Sequence, residues 1–221
     1  MPNPVITTAA DLAGRALSAA TSGIAALRHA DKPLHPEGQS WAGRLVRGGS
    51  DEPIGVPWLD EPGEDEVLVR TSRAIGLPGP LPDIAGLAIR LHLQPAGYGD
   101  LLLASTGWDP VTRHVLVPAW RHHQPLTTLL PYRSPVGPVV IGARPVDVRG
   151  HELAWAPVGK GWRHLGVLTT ELPLPDEAEA SFDPVLNQLP GLEQYPWVEH
   201  LREYSYATAR RLRGDDTRSA R

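Results

Sequence analysis

Proline and glycine punctuate this chain too often for a long helix to run through its middle. There are 24 prolines and 22 glycines among 221 residues. A proline inside a helix removes a hydrogen bond and clashes with the preceding turn, and an interior glycine costs about 1 kcal/mol relative to alanine. A helical bundle is therefore excluded, and short strands joined by turns are expected. One stretch shows the strand period in full. Leu87, Ile89, Leu91 and Leu93 alternate with Ala88, Arg90 and His92, so one face is apolar and the other is not. Residues 66–72 read the same way. Leu68, Arg70 and Ser72 share one face, and Val67, Val69 and Thr71 share the other.

Further short strands are expected at 44–47, 114–118, 151–156 and 163–174. Two more lie within 135–148, separated by the Gly142-Ala-Arg-Pro145 break. Residues 50–65, rich in proline, glycine and acids, read as a surface loop. Only the two ends carry helical spacing. Residues 8–28 place Leu12, Leu17, Ile24 and Leu27 on a helical period behind a threonine cap, and 194–212 form the second helix. The expected fold is β-rich α+β: a closed antiparallel barrel of about eight strands with an N-terminal and a C-terminal helix. A chain of this length fits one domain. It divides into a helical region at 1–31, a barrel at 32–175, a connection and helix at 182–214, and a flexible polar tail at 215–221.

Charge and composition remove several functions. Lysine and arginine total 21 against 25 acids, a formal charge of −4, which argues against non-specific nucleic-acid binding. There is no cysteine, so disulfides, thiolate-held zinc, iron–sulfur clusters and thiol catalysis are excluded. No apolar run approaches the ~20 residues of a membrane span, and no basic-then-apolar leader opens the chain. A cytoplasmic protein is expected.

The C-terminal helix carries the most pointed chemistry. Spacings of three and four return to the same side of a helix, so Arg202, Tyr206, Ala209 and Arg213 share one face. A phenol ordinarily titrates near pH ~10, and flanking guanidiniums favour the phenolate. A phenolate is a hard anionic ligand suited to ferric iron. A packed ring beside a solvated basic face would produce the same pattern.

Arg202-x-x-Ser205-Tyr206 with Arg213 seven residues on resembles the proximal haem-ligand helix of haem catalases. Upstream segments resemble the same family in the same order. His35-x-x-Gly38-x-x-x-x-Gly43 running into a strand is similar to the distal-histidine segment. Val69-Arg70-Thr71-Ser72 is similar to the strand that binds a propionate and supports that histidine. Asp83-x-x-Gly86-Leu-Ala-Ile-Arg-Leu and Gly99-Asp100-Leu match two further signatures, and 182–193 resembles the connection into the proximal helix with a one-residue offset. The resemblance is dense over 32–106 and 182–214 and weak between. It departs in three places. Lys32 stands where catalases usually have arginine. Ala104-Ser105 replaces a pair of asparagines, with Ser105 at the position of the functional one. The helical domains that follow the barrel in catalases are absent.

The resemblance implies a barrel-only relative that binds haem b and acts as a haem-dependent oxidoreductase on hydrogen peroxide or an organic hydroperoxide: a peroxidase with weak catalase activity. It implies that Tyr206 is the axial iron ligand, with Arg202 behind it. Lys32, Arg70 and Arg213 would face propionates, and His35, Ser72 and Ser105 would act on the distal side. A haem-dependent hydroperoxide isomerase or dehydratase is an alternative, as is a haem-free barrel that binds a small ligand. The expected partners are a small-molecule peroxide and an electron donor, with a homo-oligomer left open.

Tyr204 and Tyr206 separate these readings, because two residues turn a side chain roughly 200° around the helix. Tyr206→Phe removes the oxygen donor from the Arg202/Arg213 face and keeps the ring. It is expected to abolish the wild-type visible spectrum of haem-loaded protein, while Tyr204→Phe leaves that spectrum unchanged. A wild-type spectrum from Tyr206→Phe would remove Tyr206 as the ligand.

Overall fold

The computed structural model describes residues 37–73, 82–93, 95, 97–119, 124–175 and 182–198. Its centre is a single antiparallel sheet of nine strands: β1 (Glu37–Gly48), β2 (Pro62–Arg73), β3 (Ala85–His92), β4 (Tyr98–Ser105), β5 (Leu126–Thr127), β6 (Tyr132–Ser134), β7 (Gly137–Pro145), β8 (Gly150–Pro157) and β9 (Arg163–Pro173). The order is β5-β4-β3-β2-β1-β9-β8-β7-β6, and β5 also pairs with β7. That last pairing closes eight strands into a barrel. β5 meets β7 at Ala143 and Gly142, and β6 meets the same strand at Val139, Pro138 and Gly137. β5 and β6 are thus two pieces of one wall, interrupted at 128–131. The interruption contains Leu129 at φ 60°, a left-handed conformation that strains a residue with a side chain.

Alternation explains the barrel. In β3, Leu87, Ile89 and Leu91 turn inward and are almost wholly buried. So do Val67 and Val69 of β2 and Leu101 and Leu103 of β4. Together with Val139, Ile141, Leu153, Trp155, Leu165 and Leu168 they form one continuous apolar core. An eight-stranded barrel has an interior just wide enough to be filled by such side chains. The intervening residues, including Leu68, Arg70, Ser72, Ala88 and Arg90, therefore face outward from the wall.

The structure moves three sequence boundaries. The 50–65 segment is mostly loop, but 57–60 closes a single helical turn, α1 (Pro57–Asp60), and β2 already begins at Pro62. The Asp60 carboxylate accepts the N–H groups of Ile54, Gly55 and Val56, which tightens that loop. The expected strand at 114–118 is instead a 3-10 turn (Thr112–His114) followed by an isolated bridge at Leu116. The expected break at Gly142-Ala-Arg-Pro145 does not occur, and β7 runs through it. Gly142 pairs with Ala154 and lies under two indoles; a Cβ there would come within 2.8 Å of Trp108 and of Trp162. The glycine admits a close approach to the strand rather than ending it.

The connection before the C-terminal helix is fastened to the barrel by a buried ion pair. Arg90 donates from Nε to Asp100 Oδ1 at 2.7 Å and from Nη2 to Oδ2 at 2.6 Å. Asp100, with no side-chain exposure, also accepts the Asp183 N–H at 2.7 Å and the Asn187 amide at 2.8 Å. Leu189 and Leu192 then enter the core. Helical backbone starts at 196–198. The remainder of the helix expected over 194–212, and the helix expected over 8–28, lie outside the described residues.

Asp100→Ala removes the carboxylate that holds Arg90, and with it the acceptor of the Asp183 N–H and of the Asn187 amide. Removing one member of a buried pair costs about 3–5 kcal/mol. Urea unfolding is expected to show a loss of that size, with the chain after 182 becoming sensitive to limited proteolysis. A loss below about 1 kcal/mol would reduce the pair to a surface-like contact.

Candidate functional site

Two of the sequence-predicted site residues meet on the outer face of β2. Antiparallel register sets Ser72 opposite Gly38 of β1 and opposite Gly86 of β3, and Gly86 opposite Ala104 of β4. Arg70 lies two residues earlier, opposite Ser40 and Ala88. The result is a shelf across four strands on which small residues, Gly38, Gly86, Ala88 and Ala104, surround one guanidinium and one hydroxyl. Ser72 is 8% exposed. Gly38 sets the position of Arg70: a Cβ on Gly38 would stand 2.8 Å from the Arg70 Cζ and 2.9 Å from its Nη2. The guanidinium therefore lies close over Gly38, and a side chain there would displace it or press on the Thr71 carbonyl, which stands 2.8 Å from the same point.

Ser105 is not brought to this shelf. Ala104, not Ser105, lies in register with Gly86 and Ser72, and the next residue on a strand points to the opposite face. Ser105 is fully buried. Its Oγ donates to the Val117 carbonyl at 2.7 Å and accepts the Ala85 N–H at 3.1 Å. A hydroxyl has a single hydrogen, and here it is committed to the backbone. The resemblance sets Ser105 by its distance along the chain from Asp100, and that distance does not determine which side of the strand it faces. Lys32, His35, Arg202, Tyr206 and Arg213 lie outside the described residues.

A resident haem can be tested against the residues present. The shelf supplies a cation suited to a carboxylate, a buried hydroxyl, and a surface stripped of bulk by two glycines and two alanines. These features fit the edge and one face of a flat macrocycle with acidic arms. The atoms that would ligate iron belong to residues outside the description.

The sequence reading missed the polar groups of the 3-10 turn. His114 is 2% exposed, and its Nδ1 lies 2.8 Å from the Leu129 carbonyl. A carbonyl only accepts, so Nδ1 carries the proton and Nε2 is an acceptor, which finds no partner among the described residues. Burial, aided by the neighbouring Arg113 charge, holds the imidazole below its ordinary value of 6.5, against the opposing effect of the Leu129 bond. His114 also pins the carbonyl of the strained Leu129, whose N–H is held by Thr127 Oγ1. No spacing signal announces such a residue, because its role depends on a loop fifteen positions away.

Comparison with known proteins supports the fold. The barrel is similar to a fungal catalase, with 14% identity and a TM-score of 0.61 over 81% of this chain and 59% of that one. It is similar to catalase A from Saccharomyces cerevisiae, with 13% identity and a TM-score of 0.62 over 81% of this chain and 60% of that one. The chain spans about 60% of the length of these catalases. No protein-family model and no curated protein matches the sequence. The fold is thus a catalase-like barrel. Among the described residues no helix is long and apolar enough to cross a membrane.

The buried imidazole predicts a pH dependence. A group whose folded pKa is depressed contributes stability that is complete above its unfolded value and is lost as pH falls below it. For His114 that loss begins near pH 6.5. Compared by urea unfolding at neutral pH and one unit below 6.5, the advantage of wild type over His114→Leu is expected to shrink on acidification. An advantage unchanged across that interval would mean that His114 titrates alike in both states.

Proposed function

We propose that this chain is a haem b oxidoreductase that uses hydrogen peroxide or an organic hydroperoxide, turning over as a peroxidase with weak dismutation. The observation that carries the reading is the Arg70–Ser72 pair on a small-residue shelf, held against Gly38 three positions after His35. The catalase-like barrel and the ordered motifs on either side of it support the same assignment.

In this reading Tyr206 would hold the iron as phenolate, and Arg202, four residues earlier, would favour the phenolate form. Arg70, Lys32 and Arg213 pair with the propionates, for which a guanidinium offers bidentate contact. Haem held there would supply redox chemistry at a ferric iron, which provides the two electrons that cleavage of the peroxide O–O bond requires. His35 takes the proton from one peroxide oxygen and returns it to the other as the O–O bond breaks. Positioned acid–base transfer of this kind contributes typically ~10²–10⁴-fold. Ser72 orients the His35 ring through a hydrogen bond. Nothing on the described shelf replaces a second distal amide: Ala104 occupies the register position beside Ser72, and the Ser105 hydroxyl is committed to Val117. Oxidation of a second peroxide depends on holding it in place, and a misplacement of ~1 Å can cost ~10²-fold. Donor oxidation depends on this less.

The same missing donor favours a second reading, haem-dependent rearrangement or dehydration of an organic hydroperoxide, which needs no second peroxide. A visible spectrum of haem-supplemented protein separates both from a haem-free binding barrel. A Soret band with a charge-transfer band in the red is expected, and a colourless protein would overturn the proposal. Oxygen release and phenol oxidation measured on one preparation are expected to show slow dismutation beside real donor turnover, both lost in His35→Ala. Oxygen evolution far above donor turnover would refute the weak-dismutation claim. Arg70→Leu is expected to weaken haem retention, and unchanged retention would assign Arg70 to a contact within the protein.

A further inference from the structure

The wall interruption at 128–131 adjoins the shelf and receives the start of the C-terminal helix. Ala104, at the edge of the shelf, is in register with Thr127 of β5, and Leu129 follows Thr127 by two residues. There the Leu130 N–H donates to the Thr128 carbonyl. With Leu129 between them at φ 60°, this is the strained form of three-residue turn. The distortion is held from two sides. The Leu129 N–H donates to Thr127 Oγ1 at 3.1 Å, and its carbonyl accepts from His114 Nδ1 at 2.8 Å. Thr127 Oγ1 in turn donates to the Arg113 carbonyl at 2.6 Å, so β5 and the 3-10 turn clamp Leu129 together. Strain of this kind persists only where the surroundings over-determine it, and such residues cluster at functional positions.

The turn presents an apolar seat. Leu129 and Leu130 form a cluster with Val198 that is separate from the barrel core, and Leu116 and Tyr195 pack against it. Val198 has no exposure, whereas Pro196 and Trp197 just before it are exposed. The approach to the seat is also fixed, because Glu193 exchanges both backbone hydrogen bonds with Arg133 of β6. The first helical turn thus meets the barrel with Val198 inward. Val198 lies four residues before Arg202 and eight before Tyr206. On the helix expected over 194–212, that spacing puts the three on one side. The residue that seats the helix therefore shares its face with the residues that would bind iron.

We propose that the Leu129 turn sets the rotation of the C-terminal helix, and that His114 is a positioning residue for the haem ligand. By holding the Leu129 carbonyl, His114 keeps the seat in place and aims Tyr206 at the Arg70–Ser72 shelf. The aiming of Tyr206 rests on the haem reading above; the seat does not. The role needs a donor and no charge. Asparagine can set an N–H donor two bonds from Cβ, where Nδ1 stands, whereas leucine keeps the bulk and has no donor.

The test compares wild type, His114→Leu and His114→Asn as full chains. In haem-free protein, hydrogen exchange at the Glu193 and Val198 amides is expected to quicken in His114→Leu, by at least ~10-fold more than any change at the amides of β1 and β2, and to return most of the way in His114→Asn. In haem-supplemented protein, the charge-transfer band in the red is expected to fade in His114→Leu and to persist in His114→Asn. Unchanged exchange at 193–198, a rise no larger there than in β1 and β2, or an asparagine variant as loose as the leucine one would each overturn the seat. Coincident haem spectra from all three proteins would remove His114 as a positioning residue for the ligand. A wild type that takes up no haem would refute the haem reading instead, and with it the aiming of Tyr206, while the exchange result still decides the seat.

Discussion

The Arg90–Asp100 pair joins what the sequence keeps apart. Arg90 belongs to the most regular amphipathic strand of the chain, yet its guanidinium is held at the surface of the barrel by a carboxylate with no exposure of its own. Such a carboxylate needs both a cationic partner and further donors. Oδ1 accepts the Arg90 Nε hydrogen, and Oδ2 accepts from Arg90 Nη2, the Asp183 N–H and the Asn187 amide. Tyr98 and Phe182 stack on the guanidinium at 4.9 Å. A residue pair on adjacent strands thereby determines where a segment more than eighty positions later leaves the barrel. The approach of the C-terminal region to the wall follows from that junction.

The two sides of the wall have different duties. Inside, side chains are chosen by volume, and the core from Leu45 to Leu168 is continuous. Outside, small residues make room. Gly38 lets the Arg70 guanidinium approach β1, and Gly142 lets two indoles reach β7. Among the described residues the lumen is filled by this core, and the room made by small residues lies outside it.

The barrel was legible because its signal is periodic. Leu87 to Leu93 alternate, the structure buries the same residues, and Arg70 and Ser72 fall on one face as the period of two requires. What escaped is whatever depends on tertiary partners. Gly142 looked like a break because nothing nearby in sequence reveals Trp108 and Trp162. His114 looked like the start of a strand because its partner is a loop carbonyl. Ser105 looked like a distal donor because an alignment fixes position along the strand and not the side faced. Asp100 was singled out by resemblance alone, and its four contacts give it a physical role that no local pattern contains. For the residues at the two ends of the chain, the sequence motifs remain the whole basis of the assignment.

The ring closes through two register pairs, Leu126↔Ala143 and Thr127↔Gly142, whereas β1 and β2 share twelve. The joint of β5 to β4 is equally short, and a cylinder with one two-residue stave does not come apart evenly. Its weakest line runs beside the left-handed Leu129, where the wall is already interrupted, so thermal opening concentrates there and exposes amides of β5 and the middle of β7 before those of β1 to β3. The opposite joint, β1 against β9, connects residues more than a hundred positions apart, and forming it requires most of the chain to be in place. Assembly thus ends far from where disassembly begins. The hairpins of the first half zip locally, the long-range joint sets the slow step, and the short seam is the door that swings in the finished barrel.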